Sequence, residues 1–232
     1  VFDFGPTFRA EKSKTRRHLT EFWMMDAEMA YCDHNQNMDI QEELIKHIVK
    51  RCLEKNQLEL EVLGRDVEKL EASLAPFKRM SYAEAVKHLQ AKGSEIKDGD
   101  DFGAAEETLL TEGEDSPLFV DRWPAKMKAF YMKRDANDKN LVLGSDLIAP
   151  EGFGEIIGGS EREDDYETLE KRIAEHQLPT QAFAWYLDLR KHGSVPHSGF
   201  GYGLERITGW MCGVHHIRET IPFPRMITRL TP

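Results

Sequence analysis

Long apolar runs are absent from this sequence. No stretch approaches the roughly 20 consecutive apolar residues that a membrane-spanning helix needs. Charged residues make up 31% of the 232, and the net charge is −10. Residues 1–5 have neither the basic start nor the apolar core of a secretory signal peptide. We therefore expect a soluble, cytoplasmic protein with no membrane partner.

Cysteine is also scarce. Cys32, Cys52 and Cys212 are an odd, widely spaced set without a CxxC motif or a Cys/His cluster, which argues against a disulfide framework or a zinc site and favours reduced thiols. An initiating methionine is missing as well, and the chain begins inside a strand-like pattern. We therefore expect a fragment of a longer protein.

The pattern of apolar residues predicts an α+β fold. Residues 1–11 and 21–31 alternate like the two strands of a hairpin, whereas residues 39–63 have a helical period. Ser81 and Glu84 form a capping box that predicts a second helix. Further strands are expected at 118–121, 129–133, 142–148 and 154–160, helices at 165–176 and 179–192, and then a glycine-rich strand and a last helix at 204–214. Strands in consecutive runs favour an antiparallel or mixed sheet with helices packed on it.

The glycine-rich strand is the first candidate site. Gly199, Gly201 and Gly203 alternate, so one strip of the strand has no side chains and a flat ligand can approach closely. Arg206 follows in the first turn of the next helix, where its guanidinium can bind a phosphate. This arrangement suits a nucleotide; the alternative is a tight strand-to-helix junction with a surface arginine.

A basic hairpin loop is the second candidate site. Five basic residues and one acidic residue fall between positions 9 and 17. Such a concentration predicts contact with the phosphate of a nucleotide or a nucleic acid, unless it is simply a solvated loop. Arg9 and Glu11 are two residues apart on the predicted strand and share a face, so they can bind a phosphate and an exocyclic amine of the same ligand.

Two strand carboxylates form the third candidate site. Asp146 and Glu155 lie on neighbouring predicted strands, and isolated carboxylates are costly to bury. Mg²⁺ needs only one or two of them when nucleotide phosphates supply other ligands. The alternative is a salt bridge with Arg162 or Arg206.

These motifs occur in a specific order. Phe8-Arg9-Ala10-Glu11, Arg17-His18-Leu19-Thr20-Glu21-Phe22, Gly154-Glu155 with Ser160-Glu161-Arg162, and Gly201-Tyr202-Gly203-Leu204-Glu205-Arg206 together resemble class II aminoacyl-tRNA synthetases of the aspartate/asparagine/lysine subgroup. The runs GEIIGGSERE, DLRKHGSVPHSGFGYGLER and HIRETIPFPR are similar to asparaginyl-tRNA synthetases. The resemblance covers essentially the whole chain.

The resemblance implies a six-stranded antiparallel sheet with a mixed edge, flanked by helices, which activates asparagine with ATP and transfers it to tRNA(Asn). It implies that residues 1–232 are the catalytic domain from the second signature motif onward, with 76–116 as a peripheral helical excursion. The first motif and the anticodon-binding barrel would lie upstream and are absent, and the parent protein is expected to be a homodimer. The role of the acidic residues 96–113 stays open.

The resemblance also implies roles for individual residues. Arg9 would bind the α-phosphate and the substrate carboxylate, and Glu11 the adenine amine. Phe22 would stack on the adenine, with Arg206 on its other side and reaching the γ-phosphate, and Gly203 would also belong to the ATP site. Arg17 and His18 would hold the outer phosphates, Asp146 and Glu155 would bind Mg²⁺, and Arg162 would contact the side-chain carbonyl of asparagine. The amide and ammonium groups would be bound by Glu21, Asp26 and Glu28, in an order that stays open. The acceptor end of the tRNA would meet Lys12, Ser13, Lys14, Thr15 and Arg16.

Three other functions are compatible with parts of this pattern. A tRNA-independent asparagine synthetase related to these enzymes would share the nucleotide site and lack an anticodon domain. An aspartyl-tRNA synthetase fits the Gly158-Gly159-Ser160 run less well. A non-catalytic module that kept the fold need not retain Arg9, Glu11, Glu155 and Arg206.

Overall fold

One seven-stranded sheet organises the chain. The computed structural model describes residues 1–10, 12–13 and 15–231. In chain order the strands are β1 (Phe2–Phe8), β2 (Glu21–Ala30), β3 (Lys78–Ser81), β4 (Leu118–Pro124), β5 (Leu141–Ala149), β6 (Gly154–Glu161) and β7 (His197–Gly203). Their order across the sheet is β1-β2-β7-β6-β5-β4-β3. The α+β class is confirmed, but the expected count of six strands is wrong.

The seventh strand is the short edge strand β3. It pairs in parallel with β4, and every other neighbouring pair in the sheet is antiparallel. Four residues are too few to show an alternating pattern, so the sequence does not reveal β3. The strand lies inside residues 76–116, the segment expected to be peripheral and helical.

Eight α-helices accompany the sheet within the described residues. They are α1 (His34–Lys55), α2 (Gln57–Val62), α3 (Val67–Ala72), α4 (Tyr82–Ala91), α5 (Ala104–Leu110), α6 (Tyr166–Glu175), α7 (Ala184–Lys191) and α8 (Leu204–Cys212). The predicted helix 179–192 is split, because a 3-10 helix, Thr180–Phe183, precedes α7. None of the helices is long and apolar enough to cross a membrane.

Capping side chains set where two of the helices begin. The Ser81–Glu84 capping box is confirmed at the start of α4. A second box, Asp33 with Gln36, starts α1 earlier than the predicted residue 39. Each box satisfies backbone N–H groups that would otherwise lack partners in the first turn of the helix.

The strand predicted at residues 129–133 does not form. Met132 makes only an isolated bridge to Arg162, while Phe130 and Tyr131 pack against Phe183 and other aromatic residues in a small cluster beneath α6 and α7. Aromatic residues favour strands in general, but here their side chains fill the space between a loop and two helices.

The main core lies between the central strands and helices α1 and α8. Ile45 of α1, Leu147 of β5 and Trp210 of α8 are fully buried within it. Burying a side chain of this size stabilises the fold by about 1.5–3 kcal/mol. The core therefore holds the opposite face of the same strands rigid, and this face carries the candidate site.

Candidate active site

A floor of glycines crosses the centre of the sheet. In the β2–β7 register, Met24 pairs with Gly203, Asp26 with Gly201 and Glu28 with Gly199. A Cβ on Gly201 would lie only 2.2 Å from Oδ1 of Asp26. The side chains of β2 thus occupy the space that a β7 side chain would need, and the predicted bare strip is present.

The floor continues onto the next two strands. Gly201 pairs with Gly158 of β6, and Gly158 pairs with Asp146 of β5. A row across four strands therefore has an aspartate at each end, Asp26 and Asp146, and two glycines between them. A flat or extended ligand can lie along this row and meet carboxylates on both sides.

Aromatic and cationic groups gather at one end of the floor. The guanidinium carbon of Arg9 lies 5.3 Å from the centre of the Phe22 ring. Both residues line a cavity of about 100 Å³ together with Gly203 and Arg206. Arg17, His18 and Glu155 line it too, so the cavity brings together every predicted ATP-binding residue except Glu11, which lies outside the described residues.

The two predicted metal carboxylates converge over Gly158. A Cβ on that glycine would lie 3.1 Å from Oε1 of Glu155 and 3.8 Å from Oδ1 of Asp146. Glu155 also pairs with Arg206, whose Nη1 donates to its Oε2 at 3.2 Å and to its backbone oxygen at 2.9 Å. The salt bridge considered from the sequence is therefore present for Glu155.

Asp146 has a cationic partner that the sequence did not predict. Lys128 donates to its Oδ2 at 2.6 Å and lies 3.8 Å from the centre of the Trp123 ring. Burial raises the pKa of Asp146 to about 7, although Lys128 acts to lower it and Glu155 to raise it further. Burial acts to lower the pKa of Lys128, but the bond and charge of Asp146 outweigh it and the pKa is raised.

A second charged cluster lies at the other end of the floor. Arg162 donates from Nε and Nη2 to Oε1 of Glu28 at 2.9 and 2.6 Å, and from Nη1 to Oγ of Ser160 at 2.6 Å. Oε2 of Glu28 is buried and has no hydrogen-bond partner among the described residues. An acceptor and a guanidinium are therefore held side by side.

The three candidate carboxylates of β2 do not lie together. Strand alternation puts Asp26 and Glu28 on the face of the glycine floor and Glu21 on the opposite face, where it lies 3.8 Å from Arg225. Burial raises the pKa of Asp26, as do the charges of Asp3 and Glu28, while Arg162 and Arg9 lower it.

The basic loop divides into exposed and anchored parts. Lys12, Thr15 and Arg16 are exposed. Ser13 is buried, and its hydroxyl accepts from the backbone N–H of Ile227 at 3.0 Å, so its side chain faces the protein and not an incoming acceptor end. Lys14 lies outside the described residues.

Arg17 and His18 lie at the inner end of this loop. His18 Nδ1 contacts the hydroxyl of Thr15, and Arg17 Nη2 donates to the backbone oxygen of Gly152 at 2.6 Å. Both residues, with Arg206 and Glu107 of α5, line a cavity of about 1310 Å³. This cavity adjoins the smaller one, since Arg17, His18 and Arg206 line both.

Glu107 is a site residue that sequence reasoning missed. Its Oε2 accepts from Arg17 Nη1 and from the backbone N–H of Glu155, the latter at 3.2 Å. Burial raises the pKa of Glu107, while Arg17 acts to lower it. The only signal in the sequence was the acidic character of residues 96–113.

The described residues contain no cluster of three or more His, Cys, Asp or Glu side chains that could hold a metal ion. A divalent ion at this site would therefore bind the pair Asp146 and Glu155 and take its other ligands from a substrate or water. That donor set suits Mg²⁺, which is typically held by one or two carboxylates and phosphate oxygens.

Comparison with known proteins identifies the family. The family model for class II tRNA synthetases (D, K and N) matches residues 1–227. Two proteins named asparagine–tRNA ligase, from Desulforamulus reducens and Pelotomaculum thermopropionicum, are each 58% identical over 232 residues, which is all of this chain and 54% of theirs. The chain thus spans about half the length of the curated relatives it matches.

Solved structures agree with this assignment. Asparaginyl-tRNA synthetase from Pyrococcus horikoshii, complexed with asparaginyl-adenylate, matches with a TM-score of 0.97 and 51% identity over 100% of this chain and 54% of that one. Aspartyl-tRNA synthetase from Entamoeba histolytica matches with a TM-score of 0.91 and 36% identity over 100% and 49%. The chain belongs to the family of class II tRNA synthetases (D, K and N).

Proposed function

We propose that this chain forms the activation site of an asparagine–tRNA ligase, which makes asparaginyl-adenylate from asparagine and ATP and transfers asparagine to tRNA(Asn). The observation that carries the proposal is the glycine floor, with Phe22 and Arg206 at one end and the Glu28–Arg162 pair at the other. A nucleotide and a small amide can lie end to end on such a floor.

The proposed reaction needs positioned charge and no protein nucleophile. An oxygen of the asparagine carboxylate, which is already anionic, attacks the α-phosphorus of ATP. The bond from that phosphorus to the bridging oxygen breaks, and pyrophosphate leaves. Arg9, beside Phe22, would neutralise the α-phosphate, and Arg206 with Arg17 and His18 the outer phosphates. Such positioning and charge stabilisation provide most of the catalysis in phosphoryl-transfer chemistry.

The amide of asparagine fits the Glu28–Arg162 pair. Arg162 would donate to the side-chain carbonyl oxygen, and the buried Oε2 of Glu28, which lacks a partner among the described residues, would accept from the amide nitrogen. Asp26, on the same face and nearer the nucleotide end, would bind the ammonium group. This assigns the amide to Glu28 and leaves Glu21 without contact to the substrate.

Mg²⁺ would be held by Asp146 and Glu155. When bound, it neutralises charge on the phosphates of ATP. The two carboxylates face each other over Gly158, and Lys128 keeps Asp146 paired. Lys128 donates to Oδ2 of Asp146, whereas Oδ1 is the oxygen that faces Glu155 over Gly158.

The exposed residues Lys12, Thr15 and Arg16, of which two are basic, would meet the acceptor end of the tRNA together with Lys14. Charging of tRNA takes place where proteins are made, so the proposal includes a cytoplasmic location.

The proposal also includes a homodimer. The edge strand β1 presents exposed aromatic residues, with Phe2 78% and Phe8 69% accessible, and exposed apolar surface of this kind marks interfaces.

ATP–pyrophosphate exchange tests the proposal in the intact polypeptide that carries these residues. We expect exchange with asparagine and little with aspartate, and a loss of at least about 100-fold in Arg206→Ala, as for other groups that stabilise transition-state charge. Arg51→Ala is the control, because Arg51 pairs with Glu54 and both side chains are exposed on α1. Exchange that prefers aspartate, or that survives Arg206→Ala, would contradict the proposal.

A further inference from the structure

Helix α5 brings one carboxylate into the site from outside the sheet. Oε2 of Glu107 accepts from Arg17 Nη1 and from the backbone N–H of Glu155. The side chains of Glu107 and Arg17 are only 15% and 20% exposed. A single carboxylate oxygen therefore joins the basic loop, which ends at Arg17, to the first residues of β6.

The backbone of β6 makes room for this contact. Gly154 has a φ of +76°, and a Cβ there would lie 2.1 Å from Arg17 Nη1 and 2.2 Å from Oε2 of Glu107. A side chain at this position would displace the ion pair. A glycine is thus needed at position 154 for two reasons: the backbone has a positive φ there, and the Arg17–Glu107 contact leaves no room for a side chain.

These contacts fix the direction of the Arg17 guanidinium. Nη1 is held by Glu107 and Nη2 by the backbone oxygen of Gly152, at 2.6 Å. A guanidinium is a planar fork with five N–H donors, so two anchored nitrogens define its plane and leave further donors on a residue that lines the cavity shared with His18 and Arg206. Without the anchors, a long flexible side chain would lose this orientation.

The same oxygen of Glu107 also fixes the backbone at Glu155. The side chain of Glu155 is one of the two proposed metal ligands and contacts Arg206. Glu107 therefore contacts Arg17, one of the residues proposed to bind the outer phosphates, directly, and it contacts the proposed metal ligand Glu155 through the backbone of β6.

We propose that Glu107 is a positioning residue that holds Arg17 and Glu155 in the geometry that binds the outer phosphates of ATP. The inference rests on the proposed function for the identity of the ligand. It gives helix α5, within the acidic residues 96–113, a role at the site. The competing explanation is that the Glu107–Arg17 contact only ties α5 to the sheet.

The test compares Glu107→Ala and Glu107→Gln with Glu106→Gln in the intact polypeptide. Glu106 is a neighbour on the same helix that caps Gly103 through one carboxylate oxygen, which glutamine can replace. We expect Glu107→Ala to raise the KM for ATP in pyrophosphate exchange about 10-fold or more, the size expected when a charged hydrogen bond is lost. The KM for asparagine should stay within about twofold, and Glu107→Gln should be intermediate.

A double-mutant cycle tests whether Glu107 acts through Arg17. In an Arg17→Ala background, Glu107→Ala should raise the KM for ATP by a clearly smaller factor than in the wild type, because the contact to Arg17 is already lost and only the contact to the backbone of Glu155 remains. Fully additive effects would overturn the inference. So would an unchanged KM for ATP, or an equal rise in both KM values, which is the result expected for a purely structural tie.

Two controls keep the result interpretable. If thermal melting shows that Glu107→Ala does not fold, Glu107→Gln, which keeps the shape of the side chain, decides between the same outcomes. If the wild-type polypeptide shows no asparagine-dependent exchange, the proposed function fails, and calorimetric ATP binding tests the inference by itself. Weaker ATP binding in Glu107→Gln than in Glu106→Gln would still support it, and equal or undetectable binding would overturn it.

Discussion

Arg162, just after β6, reaches Glu28 of β2 across the intervening strand β7. The two donor distances are 2.9 and 2.6 Å, and the pair passes over Gly199, where a Cβ would lie 2.3 Å from Cδ of Glu28. An ion pair between strands that are not neighbours requires a residue without a side chain between them. Gly199 therefore makes room for the Arg162–Glu28 pair and also forms part of the glycine floor.

The pair predicts the effect of Glu28→Gln. Removing the negative charge leaves the Arg162 guanidinium unbalanced, and this favours a substrate carboxylate over an amide. We expect the ratio of kcat/KM for asparagine over aspartate in pyrophosphate exchange to fall at least about tenfold, equivalent to about 1.4 kcal/mol. Glu54→Gln, on the exposed surface of α1, is the control. An unchanged ratio would mean that Glu28 does not read the amide.

Gly199→Ala is predicted to destabilise the fold. The added Cβ would lie 2.5 Å from the backbone oxygen of Ala27, which cannot move without disturbing the β2–β7 pairing. We expect a loss of about 3 kcal/mol in the free energy of unfolding, near the upper end for overpacking, measured by urea denaturation. Gly5→Ala on β1, where the nearest atom lies 3.9 Å away, should change it by less than about 1 kcal/mol.

The face of β2 could be predicted because strand alternation is local. Phe22, Asp26 and Glu28 are spaced by even numbers along the strand, and the glycines that face them alternate in the same way. The Ser81–Glu84 capping box was predictable for the same reason, since its two residues are three positions apart. The α+β fold class and the glycine floor of the site follow from such short-range patterns.

The parts that could not be predicted depend on long-range contacts. Glu107 and Arg17 are 90 residues apart in the chain, and Lys128, just before the predicted strand 129–133, is 18 residues from Asp146. Phe130 and Tyr131 have strand-like composition, but α6 and α7 recruit them into an aromatic cluster. Tertiary packing decides such positions, and local propensity does not.

Asp146→Asn is predicted to weaken the use of Mg²⁺. The substitution leaves one carboxylate, Glu155, over Gly158, and an amide is a poorer ligand for a hard cation. We expect the Mg²⁺ concentration that gives half-maximal pyrophosphate exchange to rise at least about tenfold, equivalent to about 1.4 kcal/mol. Asp188→Asn on the exposed side of α7 should leave it unchanged. An unaltered Mg²⁺ dependence in Asp146→Asn would exclude this residue as a ligand.

Glu205 and Glu84 are predicted to affect stability with opposite dependence on pH. Glu205 is 3% exposed and accepts from the backbone N–H of Trp23 at 3.0 and 3.1 Å. Burial raises its pKa, although hydrogen bonds from its own backbone and from Trp23 act to lower it. Glu84 is exposed, and hydrogen bonds from the side chain and backbone of Ser81 lower its pKa.

The sign for each residue follows from the linkage between proton binding and folding. Above the ordinary glutamate value of 4.5, folded protein still binds a proton at Glu205 that the unfolded chain has released, so stability falls as the pH rises through the raised folded pKa. Glu84 stabilises the fold above 4.5, and this contribution disappears as the pH falls through its lowered folded pKa.

Urea denaturation of both variants across a pH series measures the two effects. As the pH rises, Glu205→Gln should become more stable relative to the wild type, because glutamine never has to bury a charge. Glu84→Gln should become less stable relative to the wild type as the pH rises from below the lowered pKa of Glu84 to above 4.5, because the variant lacks the charged cap. Subtracting the wild-type curve removes every titration that the variants share. A difference for Glu205→Gln that is independent of pH, or that has the same slope as for Glu84→Gln, would show that burial does not govern the protonation of Glu205.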